Sequence, residues 1–177
     1  GSGPVALALR VVHGERVRWA AETRIVFLTT RSSLAARDGV RVTADSTFGG
    51  YSTKALHDGV TDGSNLAWNE AAWASEDSPA EHWARVEFPE PVPVEEVVVH
   101  WNHEGGVTYT GREGLVLGEV ATGQELPLAN WKSRPGERAT RIVLPRQALR
   151  GVRVIQNAGK GAPERPGIMW VSEIEVN

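Results

Sequence analysis

Ile168-Met169-Trp170-Val171-Ser172-Glu173-Ile174-Glu175-Val176 is the most informative segment of this sequence. It is short, apolar and β-branched, and a loop with Gly159, Gly161, Pro163 and Pro166 precedes it, so it reads as a strand. Two carboxylates, Glu173 and Glu175, sit among its apolar residues. Far upstream lies Ala55-Leu56-His57-Asp58-Gly59-Val60-Thr61-Asp62-Gly63, an acidic turn-forming segment followed by Trp68 and Trp73. The expectation is a β-sandwich whose last strand returns to clasp that early loop.

The same strand signature recurs along the chain. Val5–Val12 and Arg16–Trp19 flank a hairpin turn at His13-Gly14-Glu15, and Arg24–Leu28 is a further candidate. Ser32–Asp38 reads as a short helix or a linker, and Gly39–Ala44 alternates again. His82–Phe88 puts Trp83, Arg85 and Glu87 on one face and Ala84, Val86 and Phe88 on the other. Pro89-Glu90-Pro91-Val92-Pro93 must bend, because proline cannot donate to a ladder. Val94–Trp101, Leu115–Leu117, Arg141–Leu144 and Val152–Ile155 are the remaining strand candidates. Long loops separate them at Asp45–Pro79, Asn102–Glu113 and Gln156–Gly167. Many short strands, few helical periods and Gly/Pro punctuation predict an all-β sandwich. A loop as long as Asp45–Pro79 needs something to order it, and a bound cation is one candidate.

Composition narrows the function classes. A chain of 177 residues suits one domain with a full core. The absence of Cys excludes disulfides and zinc-thiolate sites. With 19 basic and 22 acidic residues, the chain lacks the electrostatic footprint of a nucleic-acid binder. No apolar run is long enough to predict a transmembrane segment. Gly1-Ser2-Gly3 reads as a cloning remnant, and the chain as an excised part of a larger protein. Tryptophan is abundant, at seven residues, and serves both cores and sugar-stacking surfaces. Most of these are expected in or near the core.

Four segments carry a family resemblance. They are Val42-Thr43-Ala44-Asp45-Ser46 with Gly49-Gly50-Tyr51 and Ala55–Gly59; His82–Phe88; Val97-Val98-Val99-His100-Trp101; and Met169–Val176. In order and spacing, residues 39–177 resemble the discoidin family, also called F5/8 type C domains, whose many bacterial members include the family 32 carbohydrate-binding modules. The resemblance implies a galactose-binding-domain-like jelly roll, with residues 1–38 as an extension of extra strands or the tail of a preceding domain. It also implies a structural Ca²⁺ where the Asp-Gly loop meets the terminal Glu. Asp58, Asp62, Ser64 and Glu173 are the side-chain candidates, a hard-oxygen set that suits calcium. The alternative is that Asp58-Gly59 and Asp62-Gly63 are ordinary turns and Glu173 an edge charge.

A sugar site needs exposed aromatic faces for the sugar's C–H surface and polar groups for its hydroxyls. The resemblance places such a site in loops at one end of the sandwich. The candidates are Tyr51, Asn102, His103, Glu104, Tyr109, Arg112, Trp131 and Arg165, with Phe48 beside Tyr51. Trp131, between Asn130 and Lys132, reads as the exposed aromatic, whereas Trp101 ends an apolar strand and reads as core. Of Trp68 and Trp73, one is expected to pack beneath the long loop. Arg165 is expected either to meet ligand or to pair with a loop carboxylate. His100 and His103 point to opposite faces of a strand, and no nucleophile elbow or phosphate loop is present. The expected function is non-catalytic carbohydrate binding, with a glycan or polysaccharide as ligand and a catalytic domain in the same polypeptide as partner. A secreted or cell-surface location goes with it. The alternatives are a structural sandwich packed against a parent enzyme domain, and a module for protein or lipid headgroups.

Overall fold

A computed structural model describes residues 33–63 and 65–177. The strand expectations at Val5–Val12, Arg16–Trp19 and Arg24–Leu28 lie outside the described residues. The strands are β1 (Arg41–Ala44), β2 (Trp73–Ala74), β3 (His82–Trp101), β4 (His103–Glu104), β5 (Val107–Thr108), β6 (Glu113–Glu119), β7 (Glu125–Lys132), β8 (Ala139–Gln156) and β9 (Trp170–Val176). One helical turn, α1 (Trp68–Ala71), and two 3-10 turns, Leu34–Ala36 and Thr53–His57, complete the described elements.

β3 and β8 organise the fold. They pair antiparallel along their length, with the register broken between Glu87 and Val92 and again between Val94 and Glu96. Pro89 and Pro91 fall in the first break, and Pro145 lies opposite the second, so the prolines sit where ladder donors are not required. The expected bend is therefore present, but inside one long strand. Likewise Arg141–Leu144 and Val152–Ile155, expected as separate strands, are the two halves of β8. On one side of the bend the order is β1-β3-β8-β6-β7; on the other it is β8-β3-β9-β2. These are the two layers of a jelly-roll β-sandwich.

The core lies between the layers. Ala84, Val86 and Phe88 point inward from β3, as their alternation predicts, and meet Val152 and Val154 of β8, Val116 of β6 and Ile174 of β9. β7 was not legible as a strand, since Pro127 and polar residues break its apolar pattern. Among the described residues it pairs only with β6, and an edge tolerates proline. The polar loop expected at Asn102–Glu113 contains the small β4–β5 hairpin. At the other terminus, Leu34 and Ala35 are buried in the same core, ahead of the expected first domain residue, Gly39. Ser33 caps that turn, and its Oγ also accepts the Val176 amide at 3.0 Å.

The bend puts both ends of β3 at the same end of the sandwich. There His82 lies opposite Gln156, Gly114 also pairs with Gln156, and Trp101 pairs with Val171. Trp101 and Trp131 bridge the layers at this end, with ring centroids 5.6 Å apart. The loops Asp45–Ala72, Asn102–Arg112 and Asn157–Met169 therefore converge.

Candidate functional site

The Asp45–Ala72 loop is fastened first at its base. Asp45 Oδ1 accepts the Trp83 amide at 2.7 Å, and Oδ2 lies 2.8 Å from His82 Nδ1. The other ring nitrogen of this buried histidine donates to the Gly167 carbonyl at 3.0 Å, which ties in the third loop. The second loop is tied by backbone bonds: the Asn102 amide donates to Trp170 O and the Tyr109 amide to Asn102 O.

These ties assemble a ridge of aromatic rings. Phe48 meets Tyr51 at 6.3 Å, Tyr51 meets Trp68 at 4.9 Å and Trp170 at 6.0 Å, all edge to face. Trp170 and Tyr109 lie 4.5 Å apart and 33° from parallel. Gly50 makes the ridge possible. Its φ is +92°, and a Cβ there would stand 2.9 Å from the Trp68 ring. Trp68 is 51% exposed and Phe48 47%, so the ridge offers apolar ring faces to solvent. Burial, with Glu104 and Tyr109 nearby, pushes the Tyr51 phenol up from its ordinary value.

A cleft borders the ridge on each side. The first, about 350 Å³, is lined by Leu66, Trp68, Asn102, His103 and Glu104 with flanking small residues. The β4–β5 hairpin positions its polar edge: His103 Nδ1 lies 2.9 Å from Thr108 Oγ1. The second, about 260 Å³, lies between Phe48, Tyr51, Ile168 and Trp170, with Asp77 and Arg165 at its rim.

Tyr51, Asn102, His103, Glu104, Tyr109 and Arg165 thus lie at one end of the sandwich, Asn102 buried there. Trp131 is not the exposed aromatic expected. It is 4% exposed and packs on Trp101 in the core, because β7 turns it inward opposite Gly114. Arg112 is also spoken for. Its guanidinium donates to Gly159 O at 2.6 Å and Gly161 O at 2.8 Å, so it shapes the third loop. Sequence reasoning missed Trp68 and Trp170 as site residues. Trp73 is the tryptophan that packs under the long loop, leaving Trp68 outside. Trp170 stands next to inward-facing Val171, and strand alternation was the signal that could have found it.

The closing strand does return to the early loop. The register shifts between His100 and Trp101, so that Val171 and Ile174 both face the core although three positions separate them. Glu173 is left beneath the Asp58–Gly59 turn, 1% exposed, and its Oε2 accepts the Gly59 amide at 3.0 Å. Its Oε1 is buried without a hydrogen-bond partner. Desolvation, with Asp58 and Glu175 nearby, pushes the Glu173 carboxyl up to about 8. Of the four side chains expected at a calcium ion, Asp58, Asp62 and Glu173 lie among the described residues. Asp58 Oδ1 accepts the Val60 amide at 2.8 Å, as in an ordinary turn. Asp62 lies 3.9 Å from Arg138. Ser64 lies outside the described residues. Among the described residues, no group of three or more His, Asp or Glu side chains is placed to hold a metal. The bare oxygen of Glu173, with a second carboxylate beside it, nevertheless suits a cation that takes its remaining oxygens from loop carbonyls.

No protein-family model matches the sequence, and none of the curated proteins does. Solved structures do match. The lectin domain of lectinolysin, complexed with Lewis b antigen, is 18% identical with a TM-score of 0.65, covering 81% of this chain and 94% of that one. The family 32 carbohydrate-binding module of C. perfringens NanJ, in complex with galactose, is 11% identical with a TM-score of 0.64, covering 77% and 92%. Chitosan-binding module 1 of a chitosanase/glucanase from Paenibacillus sp. IK-5 is 16% identical with a TM-score of 0.60, covering 81% and 97%. The fold is the discoidin-like sandwich of family 32 carbohydrate-binding modules.

Proposed function

We propose that this chain is a non-catalytic carbohydrate-binding module. The observation that carries the reading is the Trp68 cleft. There an exposed indole stands beside the His103 ring and the Glu104 carboxylate, with Asn102 buried at the floor, at the loop end of the sandwich. A pyranose lays its C–H face on Trp68 while these groups exchange hydrogen bonds with its hydroxyls. Little has to be ordered on binding, because the hairpin and the backbone ties already fix the polar edge. The structural neighbours include proteins solved with Lewis b and with galactose, and a chitosan-binding module, which supports the same class of ligand.

In this reading the module belongs to a secreted or cell-surface protein. It raises the effective concentration of glycan around a catalytic domain in the same polypeptide. The test is a glycan array with the wild-type chain and Trp68→Ala. Wild type should retain a defined group of glycans, and Trp68→Ala should lose them without a change in melting temperature. Absence of retention by wild type across the whole array overturns the reading.

The same proposal includes a structural Ca²⁺ held by Glu173 and Asp58 with carbonyls of the Asp58–Gly63 loop. The ion would neutralise the buried carboxylate and fix the long loop, with no part in chemistry. The unpartnered Glu173 Oε1 supports it. Chelation should lower the melting temperature and added Ca²⁺ restore it; indifference to both rejects the site.

A further inference from the structure

We propose that the cleft between Phe48, Tyr51 and Trp170, rimmed by Asp77 and Arg165, is a second sugar subsite, so that the ligand is a neutral oligosaccharide lying across the aromatic ridge. This rests on the carbohydrate reading of the Trp68 cleft and specifies its ligand. The two clefts share a wall. Tyr51 lines the second and touches Trp68 of the first at 4.9 Å, and Trp170 lies 6.0 Å from Tyr51 on the other side. A chain leaving the Trp68 face therefore meets further aromatic surface.

The second cleft is furnished as a sugar site in its own right. Phe48, 47% exposed, and Trp170 supply faces for C–H contact. Asp77 and Arg165 form no ion pair or side-chain hydrogen bond with any other described residue. One group only accepts and the other only donates, so together they serve hydroxyls of both orientations on one sugar unit. Their opposite charges leave the cleft near neutral, which favours an uncharged sugar over a uronic or amino sugar. The scaffold is fixed beneath them: the Gly167 carbonyl is held by His82, and the Ser78 amide donates to the same carbonyl at 3.0 Å.

The experiment is calorimetric titration of wild type, Phe48→Ala, Arg165→Ala and Trp68→Ala. The probes are matched pairs: fucose against Lewis b oligosaccharide, galactose against lactose, and glucosamine against chitobiose. One neutral pair should show binding of the larger sugar about tenfold tighter than the smaller, the gain of one added contact set of moderate strength. Phe48→Ala and Arg165→Ala should reduce the larger sugar to the affinity of the smaller and leave the smaller unchanged. Equal affinity within every pair, or a preference that survives both substitutions, overturns the second subsite alone. A preference confined to the glucosamine pair overturns the neutral ligand. Loss of all binding in Phe48→Ala with none in Trp68→Ala shows a single site in the wrong cleft and overturns the two-subsite arrangement. If wild type binds none of the probes, and no glycan on the array, the carbohydrate reading falls with it.

Discussion

Glu173 accepts the Gly59 amide at 3.0 Å across 114 positions of sequence, a bond that ties the last strand to the Asp58–Gly59 turn. The carboxyl is pushed from 4.5 up to about 8 by burial first, with Asp58 and Glu175 adding to it and the Gly59 amide opposing it. A raised value means that the folded chain holds a proton that the unfolded chain releases. Stability from this group is therefore complete below pH 4.5 and declines as pH rises toward about 8. Denaturant melts of chelator-treated protein should show the midpoint falling across that window, by a few kcal/mol at most. A midpoint that rises from pH 5 to pH 8 rejects the assignment.

Replacing this carboxyl separates its two roles. Glu173→Gln keeps the acceptor for Gly59 and removes the charge. In chelator, the variant should lose the decline between pH 5 and 8 and match or exceed wild type at pH 8. In Ca²⁺, wild type should gain melting temperature and the variant should not. An equal response of both chains to Ca²⁺ places any ion elsewhere.

Arg112 shapes the third loop through two carbonyls, Gly159 O and Gly161 O. Arg112→Ala leaves both acceptors without their charged donor and should cost about 1–3 kcal/mol in denaturant unfolding. Amide exchange across residues 157–161 should quicken while the β3–β8 ladder stays protected. Arg112→Lys restores charge but not the fork, so it should recover only part of the loss.

How much of this was legible in the sequence differs by element. The inward set Ala84, Val86 and Phe88 followed from period-two alternation, which survives folding because one face is buried. The glycines and acidic turn of the Asp58–Gly63 segment, with the terminal Glu173, correctly announced contact between distant parts of the chain. The roles of Arg112 and Trp131 were not readable. Both stand in polar surroundings, and only pairing of β7 with β6, which a proline in β7 disguises, shows that Trp131 points inward. Trp68 was ambiguous with Trp73, because a loop carries no period to say which ring turns in. Nor does sequence place Asp62 near Arg138, 76 positions away by number, since surface pairs leave no local pattern.

Trp131 and Trp68 should therefore respond in opposite ways to the same truncation. Trp131→Ala removes a ring that is 4% exposed and packed on Trp101, and should cost about 3–5 kcal/mol. Trp131→Phe should cost far less, because the buried Trp131 Nε1 has no hydrogen-bond partner to lose. Trp68→Ala should leave the unfolding midpoint within about 0.5 kcal/mol of wild type, as an exposed site does. Its effect should appear in glycan retention alone. Unfolding curves and array binding on the same preparations check both halves.

His82 joins the bases of two loops and should control them together. Its ring faces acceptors on both sides, Asp45 Oδ2 at 2.8 Å and the Gly167 carbonyl at 3.0 Å, with Ser78 Oγ at 3.4 Å. His82→Ala takes one donor from each of Asp45 Oδ2 and the Gly167 carbonyl, which keep Ser46 Oγ and the Ser78 amide, and should cost about 0.5–1.5 kcal/mol. Asp45 leads into Phe48, and Gly167 leads into Ile168 and Trp170, so the loss should reach the second cleft from both walls. Amide exchange should quicken together at residues 45–48 and 165–168 and stay unchanged in the β4–β5 hairpin. Oligosaccharide affinity should fall while the smaller sugar of the pair, held at Trp68, binds as before. Quickened exchange at only one of the two segments would show that His82 serves one loop and that the other is held by different contacts.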